Sequence, residues 1–306
     1  MLPIVKGLLA GDRRSLARAI SSIDNDEKDS RKIILEIFAK TGKAKTVGLT
    51  GPGGAGKSSL VGRLIPEFVA LKHKVAVLAV DPTSPLTGGA ILGDRVRMQS
   101  SLDSEVFMRS MASRGAVGGV SKSLRNAIRV LDAAGYDLIL VESVGAGQLE
   151  IEISKVVDLT IVVFTPNTGD NVQAVKAGLT EIGDMYVVNK ADLDGSSELY
   201  TTLLDLIGDT ERKPPVLKVS AKTGAGLKEL ARSVEKSLKD KSSNYKERNR
   251  KMLEEELREL VLDNIESKVA LILEKDPKFS ELVESLARKE IDPYTAAERI
   301  SANFIR

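Results

Sequence analysis

Cysteine is missing from all 306 residues, tryptophan is missing too, and histidine occurs once, at His73. Without cysteine there is no disulfide, no thiolate nucleophile and no thiolate metal cage. The lone imidazole sits between lysines in "ALKHKV" and reads as a solvated turn residue, which leaves nothing from which a soft-metal store could be built. No apolar run approaches the roughly 20 residues that span a bilayer. The opening stretch "MLPIVKGLLAGDRRSLARAI" lacks a long apolar core ending at a cleavage site. A strong charge of either sign is absent as well: 45 Lys and Arg against 43 Asp and Glu leave a formal net charge of +2, which makes no electrostatic case for nucleic acid or a membrane surface. The expectation is a cytoplasmic globular enzyme or regulator with neither nucleic acid nor membrane among its partners.

What is present divides into three regions. Residues 1–44 are predicted to form an N-terminal helical extension, with Leu8, Leu9, Leu16, Ala19, Ile20 and Ile23 on one face, a polar break at "DNDEKDS", and then Ile33, Ile34, Ile37 and Phe38. Residues 45–238 alternate short apolar runs with helix-period stretches. The runs are "TVGLT", "KVAVLAV", "EVFMRS", "DLILVES", "DLTIVVF", "DMYVVN" and "PVLKVS". Their hydrophobicity is continuous rather than alternating, as expected of strands covered on both faces in an α/β, mainly parallel, doubly wound sheet. Residues 239–306 are charged and strand-poor. Leu253, Leu257, Leu260, Val261, Ile265, Val269 and Ile272 recur mostly at steps of three and four, predicting a long amphipathic helix whose stripe can be buried on the preceding domain or against a second copy. The sheet already has covering helices from its own crossovers and the tail is heavily charged on its other faces, so the expectation is a C-terminal dimerisation arm.

The chemistry concentrates in "KTVGLTGPGGAGKSSLVGRL". Gly51, Gly56, Lys57 and Ser58 satisfy G-x-x-x-x-G-K-[ST] between an apolar strand and a helix, the signature of a P-loop NTPase. In that motif the backbone from Gly51 through Gly53, Gly54, Ala55 and Gly56 curls around phosphates, with Ser59 following at the helix start, where the helix dipole favours negative charge. Lys57 is placed to reach the β and γ phosphates and Ser58 to bind Mg2+. Further on, "VVNKAD" puts Asn189, Lys190 and Asp192 just after a strand in the N-K-x-D arrangement. The Asp192 carboxylate can accept from both N1–H and the exocyclic amine of guanine, a donor pair that adenine lacks. "VSAKTG" follows the next strand, where Ser220, Ala221 and Lys222 can support the base. GTP and GDP are the expected nucleotides. Asp81, Asp94 and Glu142 form a candidate metal set with Ser58, since Mg2+ takes a few carboxylates plus water and phosphate oxygens. Taken singly, each acid has the competing reading of a helix cap or a surface carboxylate, and that reading weakens when the three are taken together. Gly145 follows Glu142 in E-S-V-G, a variant of D-x-x-G in which its N–H would sense the γ phosphate.

With "GPGGAGKSS", "AVDPTSPLTGGAILGDRVRM", "MRSMASRGAVGG", "VESVGAGQLE" and "NKAD" in this order, the chain resembles the MeaB/ArgK family of GTPases, which includes the human methylmalonic aciduria type A protein. The resemblance runs from about Leu9 to Leu238. It implies a homodimeric G-protein chaperone that hydrolyses GTP, gates cofactor delivery to an adenosylcobalamin-dependent acyl-CoA mutase, usually methylmalonyl-CoA mutase, and protects that enzyme. It implies a catalytic set of Lys57, Asp81, Glu142 and Lys176, the last in a partner-sensing loop. One departure stands in that loop: "TPNTGDNVQAVKAG" carries Asn167 and Asn171 where the family commonly has glycine and glutamate, while Gln173 and Lys176 fit the pattern. Three other readings compete. A nickel-delivery GTPase shares the loop motifs but needs ligand clusters that one histidine and no cysteine cannot supply. A kinase or ATPase linked to lysine/arginine/ornithine transport needs a second substrate pocket that nothing announces. A nucleotide-binding scaffold without turnover is the third, because no arginine finger can be named.

Overall fold

The computed structural model describes residues 1–81, 106–112, 119–143, 149–166, 179–208, 213–240 and 245–302. The chain forms two compact units, Met1–Lys246 and Glu247–Arg306. The first opens with helices α1 (Pro3–Leu9), α2 (Arg13–Asp24) and α3 (Ser30–Ile37), and a short 3-10 turn, Phe38–Lys40. It continues through β1 (Lys45–Thr50), α4 (Lys57–Ala70), β2 (Val75–Asp81), β3 (Phe107–Ala112), α5 (Gly119–Ala133), β4 (Leu138–Ser143), α6 (Leu149–Ser154) and β5 (Leu159–Phe164). Then follow α7 (Leu179–Ile182), β6 (Met185–Val188), α8 (Ser196–Gly208), β7 (Val216–Lys218) and α9 (Leu227–Asp240). The remaining helices are α10 (Tyr245–Leu273), α11 (Pro277–Ala287) and α12 (Pro293–Ser301).

All seven apolar runs are strands of one sheet, ordered β3-β2-β4-β1-β5-β6-β7, and every pairing is parallel. The sheet is buried on both faces, which explains why its strands show no polar alternation. Val75 and Val77 of β2 join a core with Leu60, Leu64 and Phe68 of α4 and Leu230 and Val234 of α9. Their neighbours Ala76, Leu78 and Val80 face the other way, into a core with Leu16 and Ile20 of α2, Ile33 and Ile37 of α3, and Leu124 and Leu131 of α5. The N-terminal helices therefore complete one face of the sheet and share its core. At the β6 end, Phe164 and Tyr186 pack under Leu203 and Ile207 of α8.

The edge where strands begin is held by a repeated device. Asp137, Asp158 and Asp184 each stand immediately before a strand and accept from an opening N–H of the neighbouring strand: Asp137 from Lys74, Asp158 from Thr46 and Asp184 from Thr160, all at 2.9 Å. Asp132 does the same for the approach to β1, accepting from the N–H groups of Gly42, Lys43 and Ala44. These carboxylates satisfy backbone donors that the ladder leaves over. His73 departs from its expected role as a solvated turn residue. It is half-buried, with Nδ1 at 3.2 Å from Asp137 and Nε2 at 2.8 Å from Glu235, and so ties the turn after α4 to β4 and α9.

In the second unit, Asp276 and Asp292 cap α11 and α12, each followed by a proline at the first helical position. The predicted stripe along α10 is helical and largely exposed in a single copy: Leu253, Leu257, Val261, Ile265 and Ile272 all keep 42–64% of their surface in solvent. Among the described residues, no helix is long and apolar enough to cross a membrane.

Candidate functional site

In an open parallel sheet, ligands bind beyond the carboxyl ends of the strands, near the point where strand order reverses. Here β1 lies between β4 and β5, and the chain leaves it directly into the glycine loop. Two of those glycines are required by geometry. Gly51 has φ +138°, and a Cβ there would collide with the Val163 carbonyl; Gly56 has φ +81°, and a Cβ would lie 2.6 Å from Asn189 Nδ2. Gly53 and Gly54 of the loop are exposed, as is Ser59 in the first turn of α4, whereas Ala55 is buried. The loop ends at the first turn of α4, whose free N–H groups form an anion site.

Lys57 is almost fully buried, and its ammonium donates to the carbonyls of Gly51 (2.7 Å) and Pro52 (2.9 Å), closing the loop on itself. Burial pushes its pKa down, opposed by the carboxylates of Glu142 and Glu150. The next residue, Ser58, donates its hydroxyl to Glu142 Oε1. Glu142, on β4, and Asp81, at the end of the adjacent β2, are both buried at the same edge of the sheet. The structure thus brings Ser58, Glu142 and Asp81 to one end of three strands. Asp94, Gly145 and Lys176 lie outside the described residues, as do Asn167, Asn171 and Gln173.

The N-K-x-D and VSAKTG segments reach back to this loop. Asn189, buried after β6, donates through Nδ2 to the Ala55 carbonyl (2.9 Å) and accepts at Oδ1 from the Ala221 N–H (3.1 Å). Lys190 has a left-handed backbone, φ +56°, and its ammonium donates to the Gly54 carbonyl at 2.9 Å. That conformation is costly for a residue with a side chain, so neighbouring contacts must hold it. Asp192 projects to the surface with its carboxylate fixed by the Ser220 hydroxyl at 2.5 Å, and Ser220 in turn accepts from the Thr223 N–H. The Ser220 bond is the main cause holding the Asp192 pKa below the ordinary carboxylate value, with Lys222 and Lys190 adding smaller contributions. Asn189 and Lys190 therefore touch the glycine loop directly, Ala221 holds Asn189, and Ser220 holds Asp192.

Three residues that lie behind or beside this site escaped the sequence reading. Glu150, in the first turn of α6, is buried and acts electrostatically on Lys57. Its only signal was an acid closing "GAGQLE". Thr50 and Ser143, at the ends of β1 and β4, are wholly buried and joined by a hydroxyl–hydroxyl bond of 3.2 Å. Each merely ended an apolar run.

A family model described as Methylmalonyl Co-A mutase-associated GTPase MeaB matches residues 16–273. A Pyrococcus abyssi protein with a provisional GTPase name is 45% identical over 312 residues, covering 99% of this chain and 96% of its own. GTPase ArgK of Escherichia coli is 35% identical over 239 residues, covering 74% of this chain and 72% of its own. The mitochondrial methylmalonic aciduria type A homolog of Mus musculus is 33% identical over 250 residues, covering 73% of this chain and 60% of its own. The crystal structure of a LAO/AO transport system kinase superposes with a TM-score of 0.73 at 24% identity, covering 99% of this chain and 97% of that one. At that identity the likeness speaks for the fold alone.

Proposed function

Because the chain belongs to the MeaB family of GTPases, we propose that its GTP hydrolysis drives a chaperone switch acting on an adenosylcobalamin-dependent acyl-CoA mutase, with methylmalonyl-CoA mutase as the first candidate. The observation that carries the nucleotide half of this reading is the bond from Asn189 to Ala55, which ties the guanine-reading segment to the phosphate cradle. The mutase half rests on the family description.

In this reading Asp192, already oriented by Ser220, accepts from N1–H and the exocyclic amine of guanine, and Lys222 and the Ala221 region flank the base. The loop from Gly51 to Gly56 receives the phosphates on its N–H groups. Lys57 supplies a positive charge at the β and γ positions, where charge develops as the γ-phosphoryl leaves. The residues present fit a hard divalent cation: a serine hydroxyl and a buried carboxylate in direct contact, Ser58 and Glu142, with a second carboxylate, Asp81, on the next strand. Bound Mg2+ would neutralise charge on the β and γ phosphates. Ser58 and Glu142 would hold it there, and Asp81 and Asp94 would orient its outer ligands. Gly145 and Lys176 would report the γ phosphate to the partner.

A switch needs its two states to differ in partner affinity, and a tenfold difference is about 1.4 kcal/mol. The test is a titration of methylmalonyl-CoA mutase with this protein loaded with GDP or with a non-hydrolysable GTP analogue, followed by phosphate release with and without the mutase. The expected result is a difference of at least tenfold between the two states, with hydrolysis altered by the mutase. Equal affinities would remove the energy source for gating and leave a GTPase with another client. The homodimer is part of the same proposal, supported by the exposed stripe of α10, and two nucleotide sites on one symmetric body would let one partner grip both.

A further inference from the structure

Between β1 and β4 the parallel register runs to the rung Leu49↔Glu142. The next rung is made by side chains: the Ser143 hydroxyl donates to Thr50 Oγ1 at 3.2 Å, and neither residue exposes any surface. This rung occupies a distinctive place. Thr50 is the last residue before the glycine loop, and Ser143 directly follows Glu142. Side chains alternate along strands, so Leu49 and Glu142 point to the α4 side, where Leu49 packs and Glu142 meets Ser58. Thr50 and Ser143 point to the opposite side, behind that contact.

Burying two hydroxyls has a cost that their mutual bond only offsets, and an apolar pair of the same shape would be neutral or better for stability. What an apolar pair lacks is directional fixing of the two strand ends. The Ser58–Glu142 contact spans those ends, with Ser58 carried by the loop that leaves Thr50 and Glu142 carried by β4. A shift between the strands would therefore separate the two oxygens that the cation reading needs together. Groups behind a metal site that orient its ligands commonly change metal affinity by about 10–100-fold when removed.

We propose that the Thr50–Ser143 hydroxyl pair positions Ser58 and Glu142 relative to one another, making Thr50 and Ser143 positioning residues for Mg2+-linked nucleotide binding. The inference rests on the cation reading given under Proposed function. It is tested on the full chain by calorimetric GDP titration in excess Mg2+ and in EDTA, the ratio of the two affinities giving the Mg2+-linked gain. Thr50→Val and Ser143→Ala are each expected to cut that gain about tenfold while leaving the EDTA affinity at the wild-type value. Thr50→Ser, which keeps the hydroxyl, should retain the gain, and the double variant should lose no more than either single one. Because Ser143→Ala and Thr50→Val disturb different strands, the folded one of the pair, verified by thermal melting, suffices for the comparison. A wild-type gain in the folded variants, or an equal loss with and without Mg2+, overturns the inference while the cation reading stands. A wild-type protein with no Mg2+-linked gain overturns the cation reading and this inference with it.

Discussion

Asp192 shows how a single side chain can be prepared before its ligand arrives. Its carboxylate is exposed, yet the Ser220 hydroxyl fixes one oxygen at 2.5 Å and holds the pKa low. If it accepts two charge-assisted hydrogen bonds from guanine that adenine cannot donate, GDP should bind more tightly than ADP by about a hundredfold or more. Asp192→Asn should erase most of that gap, and parallel GDP and ADP titrations check it. The sign of the pH effect follows from the lowered pKa: the charged form is the binding form, so GDP affinity is lost as pH falls through the folded-state value. Wild-type affinity should therefore stay level from pH 7 down to 5, with Ser220→Ala moving the acid limb to higher pH. At Lys57, truncation to Ala removes the buried charge proposed for the β and γ phosphates. Hydrolysis should fall by orders of magnitude, measured as phosphate release from protein shown to be folded by circular dichroism. These residues were legible in the sequence because each belongs to a short contiguous motif. Glu150 and the Thr50–Ser143 pair were not, since their meaning comes from partners 93 positions apart, as in that hydroxyl bond, or from burial that no local pattern encodes.

The elements were read nearly in full, and the reason is physical. A strand covered on both faces is apolar at most positions rather than at every second one, so seven such runs in one chain stand out against their helical neighbours. Strand order was another matter. β4 lies between β1 and β2 although it follows both in the chain, and nothing local to any of the three announces that crossover. Nor did the N-terminal helical pattern disclose that α2 and α3 would share a core with β2 and α5. The aspartates before β4, β5 and β6 are equally informative after the fact: the pattern of Asp followed by an apolar strand in "DLILV", "DLTIV" and "DMYVV" marks where one strand clasps its neighbour. Asp158 accepts from both the N–H and the hydroxyl of Thr46, each at 2.9 Å. Asp158→Ala leaves these donors at the central strand without that partner and should cost about 1–3 kcal/mol, read as a lower midpoint in urea at unchanged slope.

At the scale of the whole molecule, the stripe of α10 bears on assembly. Exposed apolar residues recurring from Leu253 to Ile272 of α10 are unusual on a lone chain, and a second copy is the occupant proposed for them. Light scattering at micromolar concentration should report about twice the 32.9 kDa of one copy, and a chain ending at Leu238 should report a monomer that still binds GDP. A mass that stays at one copy across that range assigns the stripe to another role. The bond network around Asn189 has a different consequence, one that concerns time. Asn189 joins Ala55, 134 positions earlier, to Ala221, 32 positions later. On a ribosome, the glycine loop therefore emerges long before the segments that hold it, and the pocket cannot close until residue 221 has cleared the exit tunnel. In refolding of the finished chain these closing contacts should also come late, because all-parallel sheets assemble from distant segments and do so slowly. A nucleotide that recognises only the closed pocket has nothing to bind until the last step. GDP should consequently slow unfolding while leaving the refolding rate almost unchanged, a chevron with one arm moved. A refolding arm accelerated by GDP would mean that the pocket forms early, from the phosphate loop alone.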